Sequence, residues 1–203
     1  MPALRNAAAA LLCLASASAG ATQVIDTTGD WTGDQATGWW GTAQTFTVPA
    51  LDRVLESWSF DQPGADAAGY SFSIRALVGG LPTGATLWST SVTGAAASGH
   101  QQFDAIDLAL NAGQQYAAVI VYQGQLGLDL NFTGDSYAGG SSFWSEDPTD
   151  PTRWTALPAL DHSFRAVFGP ASPAPEADSA AMLLAGGGLL AAVLRRRNRR
   201  HAG

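Results

Sequence analysis

Between residues 23 and 169 apolar positions recur with a period of two rather than 3.6, the repeat of strands whose side chains alternate between two faces. Phe46-Thr47-Val48, Val54 to Phe60, Tyr70 to Val78, Leu87 to Val92, Phe103 to Leu110, Tyr116 to Tyr122, Leu126 to Phe132 and Phe164 to Phe168 each read as a strand. In Phe72-Ser73-Ile74-Arg75-Ala76-Leu77 large apolar residues alternate in part with polar ones, which predicts a half-buried strand. Ala117-Ala118-Val119-Ile120-Val121 is apolar throughout and predicts a central strand. Gln62-Pro63-Gly64, Gly79-Gly80-Leu81-Pro82-Thr83-Gly84, Asn111-Ala112-Gly113 and Gly139-Gly140 supply the turns between them. About eight to ten short strands with no convincing helix predict an all-β fold, a single β-sandwich or jelly-roll-like domain over residues 22–169.

The two ends of the chain break this pattern. Residues 1–21 read as a signal peptide: Arg5 gives the positive start, Ala7 to Ala15 a short apolar run, and Ala17-Ser18-Ala19 or Ala19-Gly20-Ala21 the small residues that signal peptidase needs. The run is far too short to span a bilayer. A buried N-terminal helix is the alternative, but nothing in the segment is amphipathic. Cys13, the single cysteine, would leave with this segment, so the mature domain would rely on no disulfide or thiolate metal site. Leu12 before it argues against a lipoprotein signal.

At the other end, residues 170–178 form a proline-rich, extended linker. Residues 179–203 then carry an uncharged run from Ser179 to Leu194 and an arginine-rich tail. As a helix the run reaches about 24 Å, somewhat short of the ~30 Å hydrocarbon core. Gly186-Gly187-Gly188 weakens it further. Arg195, Arg196, Arg197, Arg199 and Arg200 would stay cytoplasmic and leave the domain outside. A short, glycine-broken anchor suits a temporary stop during export, so the membrane is at least a transient partner.

Charge narrows the partners. All ten basic residues are arginine, and residues 22–172 hold four of them (Arg53, Arg75, Arg153, Arg165) against fifteen carboxylates, a net of −11. A body this acidic repels phosphate backbones, so nucleic acid is not expected as a partner.

The tail resembles the PEP-CTERM sorting signal. Pro175-Glu176-Ala177, a brief apolar stretch with glycines and a terminal arginine cluster match its architecture over residues 173–200, with Ala177 where the family has a second proline. The resemblance implies an exosortase-type membrane protease as partner and delivery to the cell surface or extracellular matrix, often alongside exopolysaccharide. A plain single-span anchor is the alternative. The body also resembles a family of uncharacterised bacterial extracellular β-sandwich domains with the look of carbohydrate-binding modules. The elements that carry this are Ala43-Gln44-Thr45-Phe46, Gly80-Leu81-Pro82-Thr83-Gly84 before Leu87-Trp88-Ser89, Leu110-Asn111-Ala112-Gly113-Gln114-Gln115-Tyr116, Tyr137-Ala138-Gly139-Gly140 and Asp161-His162-Ser163-Phe164-Arg165.

Catalytic chemistry is sparsely represented. Asp161-His162-Ser163 contains triad residue types, but neighbours on a strand point to opposite faces and cannot form a relay. A glycosidase pair would need Asp104 or Asp107 with Asp129, residues that solvated strand acids explain as well. The expectation is therefore a non-enzymatic protein without a required cofactor. Calcium is the one metal the loops suggest, at Asp26, Asp30 and Asp34, or at Glu146, Asp147 and Asp150, though neither set follows the EF-hand pattern. Trp58 and Trp88 fall in strand patterns and read as core. Trp31, Trp39, Trp40, Trp144 and Trp154 fall near loops and are the candidates for stacking on sugar rings, or for plugging the ends of the sandwich.

Overall fold

The structure, a computed structural model, describes residues 22–36, 39–62, 69–93, 99–123 and 130–171. The segment read as a signal peptide, most of the linker and the C-terminal tail, with Pro175, Glu176, Ala177 and the five terminal arginines, lie outside the described residues. Among the described residues no helix is long and apolar enough to cross a membrane.

Among the described residues fourteen strands run in order. They are β1 (Gln23–Asp26), β2 (Gln35–Ala36), β3 (Gly41–Thr47), β4 (Val54–Gln62), β5 (Gly69–Ala76), β6 (Thr86–Thr93) and β7 (Gly99–Phe103). After them come β8 (Leu108–Ala109), β9 (Gln115–Tyr122), β10 (Leu130–Gly134), β11 (Ser142–Ser145), β12 (Trp154–Leu157), β13 (Leu160–His162) and β14 (Phe164–Gly169). Among the described residues two short 3-10 turns, Thr28–Asp30 and Pro151–Arg153, interrupt them. All pairings are antiparallel. A six-stranded sheet has the order β12-β11-β3-β9-β5-β6. A five-stranded sheet has the order β1-β14-β4-β7 with β8 beside β4, and a three-stranded sheet the order β13-β10-β2.

The first two sheets face each other across an aromatic core. Phe46, Tyr70, Phe72, Ile74 and Ile120 of the six-stranded sheet meet Leu55, Trp58, Phe60, Phe164 and Phe168 of the five-stranded one. Trp58 stacks on Phe164 with centroids 4.6 Å apart, and Phe46 lies 5.1 Å from Trp58. Such rings bury large apolar areas and favour offset or tilted contacts; the first pair lies within the five-stranded sheet, and the second joins the two layers. The expected all-β sandwich is what the described residues form.

Several boundaries differ from the sequence reading. The stretch Phe103 to Leu110 is not one strand: β7 ends at Phe103, and Ala105 and Asp107 take positive φ (53° and 48°) before β8. Left-handed backbone cannot continue a ladder, so the chain turns there. Strands β1, β2, β11, β12 and β13 carry too few apolar residues to stand out by periodicity; their partners across the sheet define them. Apolar β9 is indeed central, flanked by β3 and β5.

Candidate functional site

Alternation along each strand divides the six-stranded sheet into an inner and an outer face. On β3 the inner residues are Thr42, Gln44 and Phe46, and the outer ones Gly41, Ala43 and Thr45. The outer face is not bare. Ala43, Ala117, Val119, Phe143 and Trp154 form a second, smaller apolar cluster, covered in part by Leu77 and Leu81.

Two loops build walls above that cluster. The first leaves β5 and folds back on itself. Val78 and Leu81 exchange backbone bonds at 3.0 Å in each direction, with Gly79 (φ +60°) and Gly80 (φ +82°) between them. Two consecutive positive φ values make this a type I′ hairpin turn, which glycines permit without steric cost. Gly84 then returns against β5, so close that a Cβ would sit 2.5 Å from the Ala76 carbonyl oxygen. The second wall, residues 146–153, is tied by two Asp-x-Thr turns. Asp147 Oδ1 accepts from Thr149 N (3.1 Å) and Oγ1 (2.6 Å), and Asp150 Oδ1 from Thr152 N (2.8 Å) and Oγ1 (2.7 Å). These bonds, the threonine hydroxyl's first, hold both carboxyls below their usual value. Arg153 Nη2 pairs with Glu146 Oε2 at 2.9 Å across the same loop.

Between the walls lies an open pocket of about 260 Å³ lined by Arg75, Thr83, Pro148, Thr149 and Trp154. Arg75 is half-buried, and its Nε donates to Ser73 Oγ at 3.0 Å. Burial pushes its guanidinium below the usual arginine value. Among the described residues the ion pairs are His100–Asp61, Arg153–Glu146 and Arg165–Asp26, so no described carboxylate holds Arg75. A β-bulge in the β5–β6 ladder falls between Ile74 and Arg75: Ile74 faces Trp88 and Arg75 faces Thr86, leaving Leu87 as the extra residue. Trp154 is buried at the start of β12, lying over Gly41, where a Cβ would come within 3.3 Å of its Cη2 and 2.7 Å of Pro148 Cβ.

The remaining sequence candidates separate. Trp39 and Trp144 stack on each other (5.7 Å between centroids, 23° between planes), and Trp39 also meets Phe132 edge-on. They close the sandwich beside the three-stranded sheet. Trp31 is 41% exposed and donates Nε1–H to the Asp34 carbonyl at 2.8 Å; Trp40 is half-buried. Of the five tryptophans only Trp154 lines the pocket, and it stands on a strand rather than in a loop.

Asp26, Asp30 and Asp34 are not gathered around a common point. Asp26 Oδ1 accepts from Thr28 N and Oγ1 (3.0 and 2.6 Å) while its Oδ2 faces Arg165 Nε at 3.3 Å, and Asp34 Oδ2 accepts from Thr32 Oγ1 at 3.1 Å. Among the described residues no three His, Cys, Asp or Glu side chains converge as metal ligands. Asp104 accepts from Gln102 Nε2 at 2.7 Å, and its suggested partner Asp129 lies outside the described residues.

The Asp161-His162-Ser163 segment lies in the interior. Gln44 of β3 clamps it: its Nε2 donates to Asp161 Oδ1 and its Oε1 accepts from His162 N, both at 2.8 Å. Tyr137 N donates to Asp161 Oδ2 (2.8 Å), and Thr27 Oγ1 donates to the His162 carbonyl (2.9 Å). Thr42 Oγ1 lies 2.7 Å from His162 Nε2 and 3.1 Å from the Phe143 carbonyl oxygen, so the buried imidazole has a hydroxyl partner whose direction follows the ring's tautomer. Burial pushes the His162 pKa down to about 3 and, more than its hydrogen bonds oppose it, pushes the Asp161 carboxyl up. Around the same knot, Tyr137 Oη accepts from Thr47 N (3.1 Å), Thr47 Oγ1 donates to the Gly139 carbonyl (2.6 Å), and Gly140 passes so near Thr45 O that a Cβ would overlap it at 1.8 Å. These short motifs hold β3, β13 and the 135–141 loop together.

No protein-family model matches the chain, and no curated protein matches its sequence. A solved structure of low identity shares its fold. The clostridial cysteine protease Cwp84 after propeptide cleavage matches at 14% identity and a TM-score of 0.53, over 74% of this chain and 40% of that one. The crystal structure of the cysteine protease and lectin-like domains of Cwp84, a surface layer associated protein of Clostridium difficile, matches at 15% identity and a TM-score of 0.47, over 68% and 36%. The chain thus spans about two-fifths or less of these proteins.

Proposed function

We propose that this chain is an exported, non-enzymatic β-sandwich of the bacterial cell surface or extracellular matrix, and that it contacts polysaccharide through the outer-face pocket. The observation that carries the binding part is the company Trp154 keeps: an indole, two threonines and an open guanidinium around a pocket of about 260 Å³. A sugar ring needs a few fixed hydroxyl and charged partners beside some apolar surface, here the edge that buried Trp154 leaves at the pocket. The export part rests on the signal-peptide pattern of residues 1–21 and the PEP-CTERM-like tail with Pro175, Glu176 and Ala177, which imply signal peptidase and an exosortase-type protease as processing partners.

Binding of the purified full chain to a panel of bacterial exopolysaccharides, wild type against Trp154→Ala, tests the first part. Retention on at least one glycan, lost in the variant, is expected; no retention across the panel overturns it. The mass of the protein recovered from the host surface tests the second: loss of everything beyond about Pro175 is expected, and a full-length tail in the membrane fraction makes this a plain anchored protein.

A further inference from the structure

Four arginines serve a body that carries fifteen carboxylates, and the described ion pairs use Arg153 and Arg165. Arg75 stands apart: it lines the pocket, it is half-buried, and no described carboxylate reaches it. Its Nε is committed to Ser73 Oγ, which orients the planar guanidinium from one side and leaves the two Nη groups as a fork. The bulge at Ile74/Arg75 interrupts the ladder at this residue, a device that commonly re-aims a side chain beside a functional site. The acids of the neighbouring wall do not compete for the fork: Asp147 and Asp150 are held in their own turns, and Glu146 is paired with Arg153.

We infer that the pocket takes a carboxylate-bearing sugar, with Arg75 gripping the carboxylate end-on through its two Nη groups, the edge that buried Trp154 leaves at the pocket closing its floor and Thr83 and Thr149 forming the polar rim. The inference rests on the polysaccharide reading above and specifies its ligand. Two quantities restrict the class further. The pocket lies below the ~300–1,000 Å³ of sites for drug-sized ligands, which suits one ring or a chain end. The net charge of −11 on residues 22–172 disfavours a densely charged polyuronate, so the fitting ligand is an isolated uronate on an otherwise neutral glycan.

Titration calorimetry of the full chain with cellobiouronic acid (glucuronosyl-glucose), cellobiose, sodium acetate and polygalacturonate separates these claims. The acidic disaccharide is expected to bind about ten- to a hundredfold more tightly than cellobiose, the range of one charge-assisted contact. Arg75→Gln removes that preference, and Arg75→Lys, which keeps the charge without the fork, restores part of it. Polygalacturonate binds more weakly per uronate at low salt and improves as salt screens the repulsion. Equal binding of cellobiose, or an unchanged preference in Arg75→Gln, overturns the carboxylate inference and leaves the glycan reading standing. Acetate competing as well as the disaccharide overturns the sugar requirement. No binding by any glycan, here and across the exopolysaccharide panel, removes the reading and the inference together. If Arg75→Gln does not fold, the comparison of probes on the wild-type protein decides.

Discussion

Gln44 and Arg75 are long polar side chains on strands of the same six-stranded sheet, and they differ in where their hydrogen bonds go. Gln44 points inward and spends both ends of its amide on Asp161 and His162 N, with a further bond to the Thr45 carbonyl. Arg75 points outward and has one described partner, Ser73, for a group with five donors. A buried polar network saturated within the chain contributes to a unique fold and has nothing left for a ligand. A fixed, half-buried cation with free donors is arranged for something else. Residue type does not separate the two cases; partnering does.

The largest effect is expected on the inner side. Gln44→Leu strands the His162 N–H and removes one support from the buried Asp161 carboxyl, costing about 3–5 kcal/mol in chemical denaturation. A loss under about 1 kcal/mol would break the contrast. Next comes pH. The unfolded chain protonates His162 near 6.5, whereas the folded ring stays neutral to about 3, so the unfolded state takes up the proton first. The contribution of neutral His162 is complete above pH 6.5 and falls by about 1.4 kcal/mol for each unit below it, until about pH 3. His162→Gln should flatten that slope in a pH series of denaturant midpoints.

Smaller effects belong to the outer face. Gly41→Ala drives a methyl into Pro148 and Trp154 and should cost about 1–2 kcal/mol while deforming the pocket, seen as a shift in tryptophan emission and weaker glycan retention. Arg75→Gln should cost about 1 kcal/mol or less, because it loses the bond to Ser73 Oγ but no ion pair in the described structure. A marked drop in melting temperature for that variant would make Arg75 a structural residue and erase the distinction between the faces.

Much of the inner side was legible in the sequence. The alternation in β4, β5 and β9 and the run of apolar residues in β9 follow from burial on one face or both, which periodicity records directly. Adjacent Asp161, His162 and Ser163 have separate partners: Asp161 bonds to Gln44 and Tyr137, His162 to Thr42, and Ser163 N to the Asn131 carbonyl. The pocket was not legible. Arg75 looked like the polar beat of a half-buried strand, and Trp154 like one of five loop tryptophans. What joins them is the antiparallel register β12-β11-β3-β9-β5, contacts between residues far apart in the chain. The signal available was local: the Gly79-Gly80 pair flags a hairpin after β5, and repeated Asp-x-Thr flags two tight turns, but neither says that the loops stand over the same floor.

Strand β1 lies along β14 with Gln23 opposite Phe168, so the polypeptide enters and leaves the sandwich side by side, about 5 Å apart on the scale of an antiparallel pair. For protein engineering this makes residues 23–168 a plug-in cassette. Spliced into a surface hairpin of a carrier protein, the sandwich would require almost no opening of the host loop.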